Sequence, residues 1–271
     1  MMRKTEERNP RTKHIDKMST AEMLKIISDE NKNAVMAVEN ELTNIGKAVD
    51  AITEAFEKGG RLFYVGAGTS GRLGVIDAAE CPPTFGVSRD QVVGIIAGGE
   101  RCMVSAAEGE EDNAESGKND LLAYNITDKD VVVGISASGG AAYIISALKT
   151  ANEIGAVTVS VTCNQGSKME AVADIGICTD TGAEVITGST RMKAGTAQKL
   201  VLNMLSTCSM IKTGKVYENL MINLRPTNIK LRARMISVVS EILGTDSEDS
   251  EKLLEDNGFN IREAIEAYKE K

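Results

Sequence analysis

The feature that most constrains this chain is a change of rhythm after Gly59-Gly60, where five short apolar runs alternate with longer helical stretches. Leu62–Val65, Val92–Ala97, Val131–Ile135, Val157–Val161 and Asp174–Cys178 are mostly apolar and bounded by Gly, Ser or Asp. Runs of this kind suit parallel strands buried on both faces, and parallel strands need crossover helices between them. The intervening stretches supply candidate helices at Gly71–Glu80, Ala141–Glu153 and Gly195–Lys212, with a further one at Met103–Asn113. The expectation is an α/β domain around a parallel sheet.

Ahead of the glycines, Ser19-Thr20-Ala21-Glu22 fits a capping box and predicts a short helix to about Ile27. From Ala34, the residues Val35, Val38, Leu42, Ile45, Val49, Ile52 and Phe56 form one helical stripe, suited to packing on the core or on a twin subunit. The tail reads as helices at Asn228–Leu243, Ser247–Asn257 and Ile261–Lys269, with Gly244 stopping the first. The expected division is 1–58 for N-terminal helices, 59–226 for the α/β core and 227–271 for a small C-terminal helical unit. A chain of 271 residues with 42% hydrophobic content is long enough to bury that core.

Charge and composition exclude several functions. A net charge of −8 and 3% aromatic residues disfavour nucleic acid as a partner, which calls for a basic face and stacking rings. The charged start, Met1–Asn9, lacks the apolar core of a secretory signal, and no apolar run approaches a membrane span, so a cytoplasmic protein is expected. Cys81, Cys102, Cys163, Cys178 and Cys208 are odd in number and lack C-x-x-C spacing, which suggests reduced thiols. No His, Cys and carboxylate set has metal-ligand spacing.

An anion would therefore have to be held locally, and two turns can do so. The first run leads into Gly66-Ala67-Gly68-Thr69-Ser70-Gly71-Arg72-Leu73-Gly74, where glycines allow close backbone approach and the next helix offers free N–H groups. The same letters form G-x-G-x-x-G, but a dinucleotide site also needs a carboxylate ending the second strand. Here that strand runs out in Ile96-Ala97-Gly98-Gly99, which favours a phosphate monoester over NAD. The third run ends in Ser136-Ala137-Ser138-Gly139-Gly140 before another helix, so both turns can face one crevice.

Carboxylates are the available acids and bases, because the single histidine, His14, lies in a polar N-terminal stretch. Glu80 ends its predicted helix just before Cys81-Pro82-Pro83, at the end of the helix dipole that disfavours a carboxylate, a position that suits a general acid. The run Glu108-Gly109-Glu110-Glu111-Asp112 reads on its own as a solvated charge cluster.

Several segments together resemble the N-acetylmuramic acid 6-phosphate etherases, relatives of the glucokinase regulatory protein in the sugar-isomerase domain superfamily. They are Thr5–Asn9, the GAGTSGRLG loop, DAAECPPTFGV from Asp77 to Val87, AEGEEDN from Ala107 to Asn113, and GAEVITGSTRMKAGTAQK from Gly182 to Lys199. The resemblance implies a three-layer α-β-α sandwich, a ubiquitin-associated-like C-terminal helical unit and a homodimer. It implies no metal and no organic cofactor. The implied reaction removes the D-lactyl ether by elimination followed by hydration, giving N-acetylglucosamine 6-phosphate.

By motif match, Glu80 corresponds to the family's proton donor and Glu111 to its other catalytic glutamate, the base for carbon 2, with Glu110 a dispensable neighbour. Gly68, Thr69, Ser70, Ser136, Ser138 and Gly139 match the sugar-phosphate loops. Arg191 and Lys193 either meet the lactyl carboxylate or phosphate, or form ion pairs that fix a loop or the dimer contact. The chain departs from the family where Gly140-Ala141-Ala142 replaces the usual Arg-Thr-Pro, and it stops at Lys271, shorter than the family's usual length. Two other readings stand beside the etherase: a sugar-phosphate-binding regulator without catalysis, and a phosphosugar isomerase.

Overall fold

The computed structural model describes residues 4–105, 108–224, 226 and 228–269; Ala107, which opens the AEGEEDN motif, lies outside them. Contacts divide the chain into two compact units, Met1–Ala79 with Asp90–Ser209, and Glu80–Arg89 with Met210–Lys271. Along the chain run α1 (Thr20–Glu39), α2 (Leu42–Glu57), β1 (Leu62–Gly66), α3 (Gly68–Phe85), β2 (Val92–Ile96), α4 (Arg101–Val104), α5 (Ala114–Leu122) and β3 (Val131–Ile135). Then follow α6 (Ala142–Ile154), β4 (Val157–Thr162), β5 (Ile175–Cys178), α7 (Lys193–Lys212), β6 (Val216–Tyr217), β7 (Leu220–Met221), α8 (Ile229–Leu243), α9 (Ser247–Asp256) and α10 (Ile261–Lys269).

The first unit is built on a five-stranded parallel sheet of order β2-β1-β3-β4-β5. Successive side chains of a strand point to opposite faces, and here both faces are covered. Phe63, Val65 and Val132 pack in one core with Tyr143, Ile144, Ala147, Leu148 and Ala151 of α6. On the other face the Tyr64 hydroxyl donates to Asp77 of α3 and to the Leu202 carbonyl of α7. The result is a three-layer α-β-α sandwich, and its double covering is why β1, β2 and β3 read as unbroken runs of apolar residues and glycine.

Four expectations are corrected. The capping box is present, with Ser19 and Glu22 bonded reciprocally, but α1 runs on to Glu39 instead of stopping near Ile27. The stripe starting at Ala34 is split at Asn40-Glu41, because a two-residue break that preserves the three-and-four spacing is invisible to periodicity. The helix after the first turn begins at Gly68 and persists through Pro82 and Pro83 to Phe85. Two missing donors weaken only one turn, and the Gly86 amide still closes on the Pro82 carbonyl. No helix spans 103–113; there α4 and a 3-10 turn at Glu110–Asp112 are separated by Gly109, whose φ of 86° ends regular helix.

In the second unit, the antiparallel pair β6–β7 precedes three helices whose buried residues, among them Met235, Val239, Leu254, Ile261 and Ile265, share one core. Asn228 and Asp246 cap α8 and α9 by accepting from the Leu231 and Asp249 amides, and Gly244 ends α8 in the left-handed region. Among the described residues no helix is long and apolar enough to cross a membrane.

Candidate active site

The carboxyl end of β1 meets α3 so closely that a Cβ on Gly66 would lie 2.6 Å from the Gly71 nitrogen. Glycine is therefore required for the turn, and α3 starts two residues later with Thr69 and Ser70 already in its first turn. The N–H groups of such a turn have no intrahelical acceptors and carry the positive end of the helix dipole. The turn after β3 has the same design. Ala141 precedes α6 without any side-chain cap, so the amides opening that helix are likewise free of a side-chain partner.

Both turns line one cavity of about 460 Å³, where Gly68, Thr69 and Ser70 are joined by Ser136, Ser138, Gly140 and Ala141. Hydroxyl groups and two helix N-termini converge there, a chemistry suited to a phosphate. The Ser136 and Ser138 hydroxyls lie 3.4 Å apart, and each oxygen also accepts from a backbone amide, Gly139 to Ser136 and Gly140 to Ser138. The buried Ser70 hydroxyl donates to the Gln198 side chain at 2.9 Å, leaving its lone pairs directed by that bond.

The remaining lining includes Glu6, Arg72, Cys102, Glu108, Glu111, Asp112, Gly188 and Thr190. Glu111 is half-buried in the 3-10 turn. Its neighbour Glu110 lines a different cavity and is paired with Arg101. Arg72, the one cation on the wall among the described residues, donates to the Met103 and Ser105 carbonyls and so ties α4 to α3.

Among the residues singled out in the sequence, Gly68, Thr69, Ser70, Ser136, Ser138 and Glu111 come together on this cavity. Gly139 does not line it. With φ at 65° and a Cβ position only 2.4 Å from Ser167, it shapes the turn. Lys193 does not line it either: its ammonium is buried and donates to Glu30 at 2.6 Å and to the Ala183 carbonyl at 2.7 Å. Arg191 is exposed. Glu80 is exposed on α3 and belongs to the second unit. Nearby Asp77 is buried; burial pushes its carboxyl above the usual range, against hydrogen bonds from Asn203 and Tyr64.

Sequence reasoning did not single out Glu6, Arg72, Glu108, Asp112, Gly188 or Thr190. Glu6, Gly188 and Thr190 lie within segments that carried the resemblance, yet nothing local in them signals a shared wall. Among the described residues, no group of three or more His, Cys, Asp and Glu side chains is arranged to hold a metal ion.

A family model described as the glucokinase regulatory protein N-terminal SIS domain matches residues 44–152, and the SIS domain model matches residues 113–207. The N-acetylmuramic acid 6-phosphate etherase of Clostridium botulinum strain Okra is 57% identical over 261 residues, covering 96% of this chain and 86% of its own. The chain belongs to the N-acetylmuramic acid 6-phosphate etherase family. Etherases of Clostridium beijerinckii and Caldanaerobacter subterraneus are 53% and 51% identical, again over 96% of this chain and 86% and 85% of theirs. Fold similarity reaches further. A phosphoheptose isomerase from Neisseria gonorrhoeae superposes with a TM-score of 0.55 at 20% identity, covering 70% of this chain and 98% of its own. At that distance the likeness shows the fold alone.

Proposed function

We propose that this chain cleaves the D-lactyl ether of N-acetylmuramic acid 6-phosphate, yielding N-acetylglucosamine 6-phosphate and D-lactate. One observation carries the reading: the cavity that collects both Ser/Thr-bearing helix N-termini is also walled by Glu111. Anion-binding turns beside a half-buried carboxylate suit a phosphorylated substrate that must lose a proton. Thr69, Ser70, Ser136 and Ser138 hold the phosphate, with the amides that open α3 and α6.

With the sugar in its open-chain form, the aldehyde acidifies carbon 2 and Glu111 takes that proton. The bond between carbon 3 and the ether oxygen breaks as Glu80 gives its proton to that oxygen, so lactate leaves as a neutral hydroxyl instead of an alkoxide. A double bond between carbons 2 and 3 remains. Water then adds its hydroxyl to carbon 3 while carbon 2 regains a proton, with Glu80 as the base that activates the water. No metal or organic cofactor takes part in this scheme.

The working form is a homodimer in a cytoplasmic setting. Leu24, Val35, Met36 and Leu42 on α1 and α2 are large apolar side chains left exposed, which supports a subunit contact through these helices. Light scattering at micromolar concentration tests it.

The function is tested by incubating the purified chain with N-acetylmuramic acid 6-phosphate, without added metal or nucleotide, and assaying D-lactate. Release is expected from the wild type. Glu80→Ala is expected to stop it while solvent exchange at carbon 2 continues, and Glu111→Ala to lose both. Binding without release would replace the etherase reading with that of a regulator. Ketose formed from glucosamine 6-phosphate would point to an isomerase.

A further inference from the structure

Glu6 stands apart from the other carboxylates on the cavity wall, because it arrives from the far N-terminus on a segment fastened at both ends. Just before it, Lys4 is ion-paired with Asp180, and buried Thr5 exchanges hydrogen bonds with the Asn164 side chain. Just after it, buried Asn9 donates to Glu30 at 2.9 Å and to the Ala183 carbonyl at 3.2 Å, and Thr12 donates to the Val185 carbonyl at 2.8 Å. Glu6 itself closes a 3-10 turn. Its carboxylate lies against the loop carrying Thr190, since a Cβ built on Gly188 would approach Glu6 Oε2 to 3.4 Å. Among the described residues no ion pair or hydrogen bond engages that carboxylate.

A carboxylate fixed on the wall of an anion site repels a bare anion, and it benefits a ligand only by accepting from that ligand's donors. A sugar phosphate brings such donors as hydroxyl groups, whereas inorganic phosphate lacks a sugar's hydroxyls altogether. We propose that Glu6 is a specificity residue, its carboxylate accepting hydrogen bonds from sugar hydroxyls while disfavouring phosphates that lack them. This rests on the sugar-phosphate reading of the cavity. It assigns to the N-terminal segment a direct part in substrate choice.

The test is calorimetric titration of the full chain with N-acetylglucosamine 6-phosphate and, separately, with inorganic phosphate, in wild type, Glu6→Ala and Glu6→Gln. A hydrogen bond from a hydroxyl to a carboxylate predicts about ten-fold weaker sugar-phosphate binding in Glu6→Ala. Inorganic phosphate should bind Glu6→Ala as well as the wild type or better, because a repelling charge is gone. Glu6→Gln keeps an acceptor oxygen and should lose less than Glu6→Ala. Equal weakening of both ligands would assign Glu6 a purely structural role and overturn the proposal. A wild-type preference for the sugar phosphate that survives intact in Glu6→Ala would overturn the proposal alone. A wild type that binds N-acetylglucosamine 6-phosphate no better than inorganic phosphate would overturn it together with the sugar-phosphate reading.

Discussion

Glu110 and Glu111 are adjacent in the chain but line different cavities, Glu110 paired with Arg101 and Glu111 on the wall of the cavity that the turns after β1 and β3 share. The 3-10 turn causes this, because with three residues per turn neighbouring side chains leave the axis about 120° apart. The two should therefore respond differently to the same change. Glu111→Gln is expected to lower D-lactate release by about 10²–10⁴-fold, the usual contribution of a general base. Glu110→Gln should stay within about three-fold of wild type and cost at most about 1 kcal/mol in a urea melt, as a surface ion pair does. Equal losses in both variants would remove Glu111 from the role of base.

Glu30 and Lys193 form a buried pair at 2.6 Å that fastens α1 to the start of α7. Burial alone would raise the Glu30 carboxyl, but Lys193, Asn9 and Arg11 hold it below the usual range. Removing only the lysine strands a charge out of water. Lys193→Met should cost about 3 kcal/mol in urea unfolding, and the double variant Glu30→Met with Lys193→Met markedly less. A single variant as stable as wild type would mean that Arg11, which bonds Glu30 at 2.7 Å, suffices alone.

A second clamp lies at the strand entrances. Asp130 accepts from the Arg61 amide and guanidinium and from the Thr127 amide, beside the backbone bond from Val131 to Arg61. Burial would raise its carboxyl; Arg61 and the Thr127 N–H win and hold it below 3.8. Because the folded value lies below the unfolded one, Asp130 contributes stability that is fully present above pH 3.8 and lost as pH falls through the lower folded value. Melting temperatures taken from pH 7 down to pH 3 should fall at the acid end. In Asp130→Asn that acid-side fall should be shallower, on a baseline lowered by about 3 kcal/mol at neutral pH.

Most of the sheet was legible because strands such as β1 and β3 are buried on both faces and so contain almost nothing but apolar residues and glycine. Helix α5 was not, and its packing explains why. It meets α6 through Gly117, where a Cβ would come 2.0 Å from the Tyr143 carbonyl oxygen. That close approach replaces the apolar stripe by which a helix is recognised, and Ala-Glu-Ser-Gly-Lys-Asn-Asp carries no such stripe. In the site, the two turns and Glu111 were found through motifs. The wall formed by Glu6, Gly188 and Thr190 was not, because it depends on hydrogen bonds such as Thr5 to Asn164 and Asn9 to Ala183, between residues far apart in the chain.

The second turn is where the sequence reading places a departure from the usual Arg-Thr-Pro. Gly140 and Ala141 line the cavity, and neither offers a side-chain donor. The helix that follows has no side-chain cap, so its first amides are left open to an anion, a task that a cation and a hydroxyl could share. Replacing Gly140-Ala141-Ala142 by Arg-Thr-Pro places a cation in the cavity, a threonine at the N-cap and a proline at the first helical position, where its fixed φ and missing N–H are tolerated. Within that replacement, Ala141→Thr should add about 1 kcal/mol of stability by capping, read from a urea melt. Gly140→Arg should tighten inorganic phosphate several-fold, and more so at low salt, because a new charge pair at this half-buried position is partly screened. Calorimetric titration at two ionic strengths checks the gain in affinity and its salt dependence. Unchanged affinity at either salt would mean that the backbone amides of α3 and α6 already saturate the phosphate, and that the departure is neutral for binding.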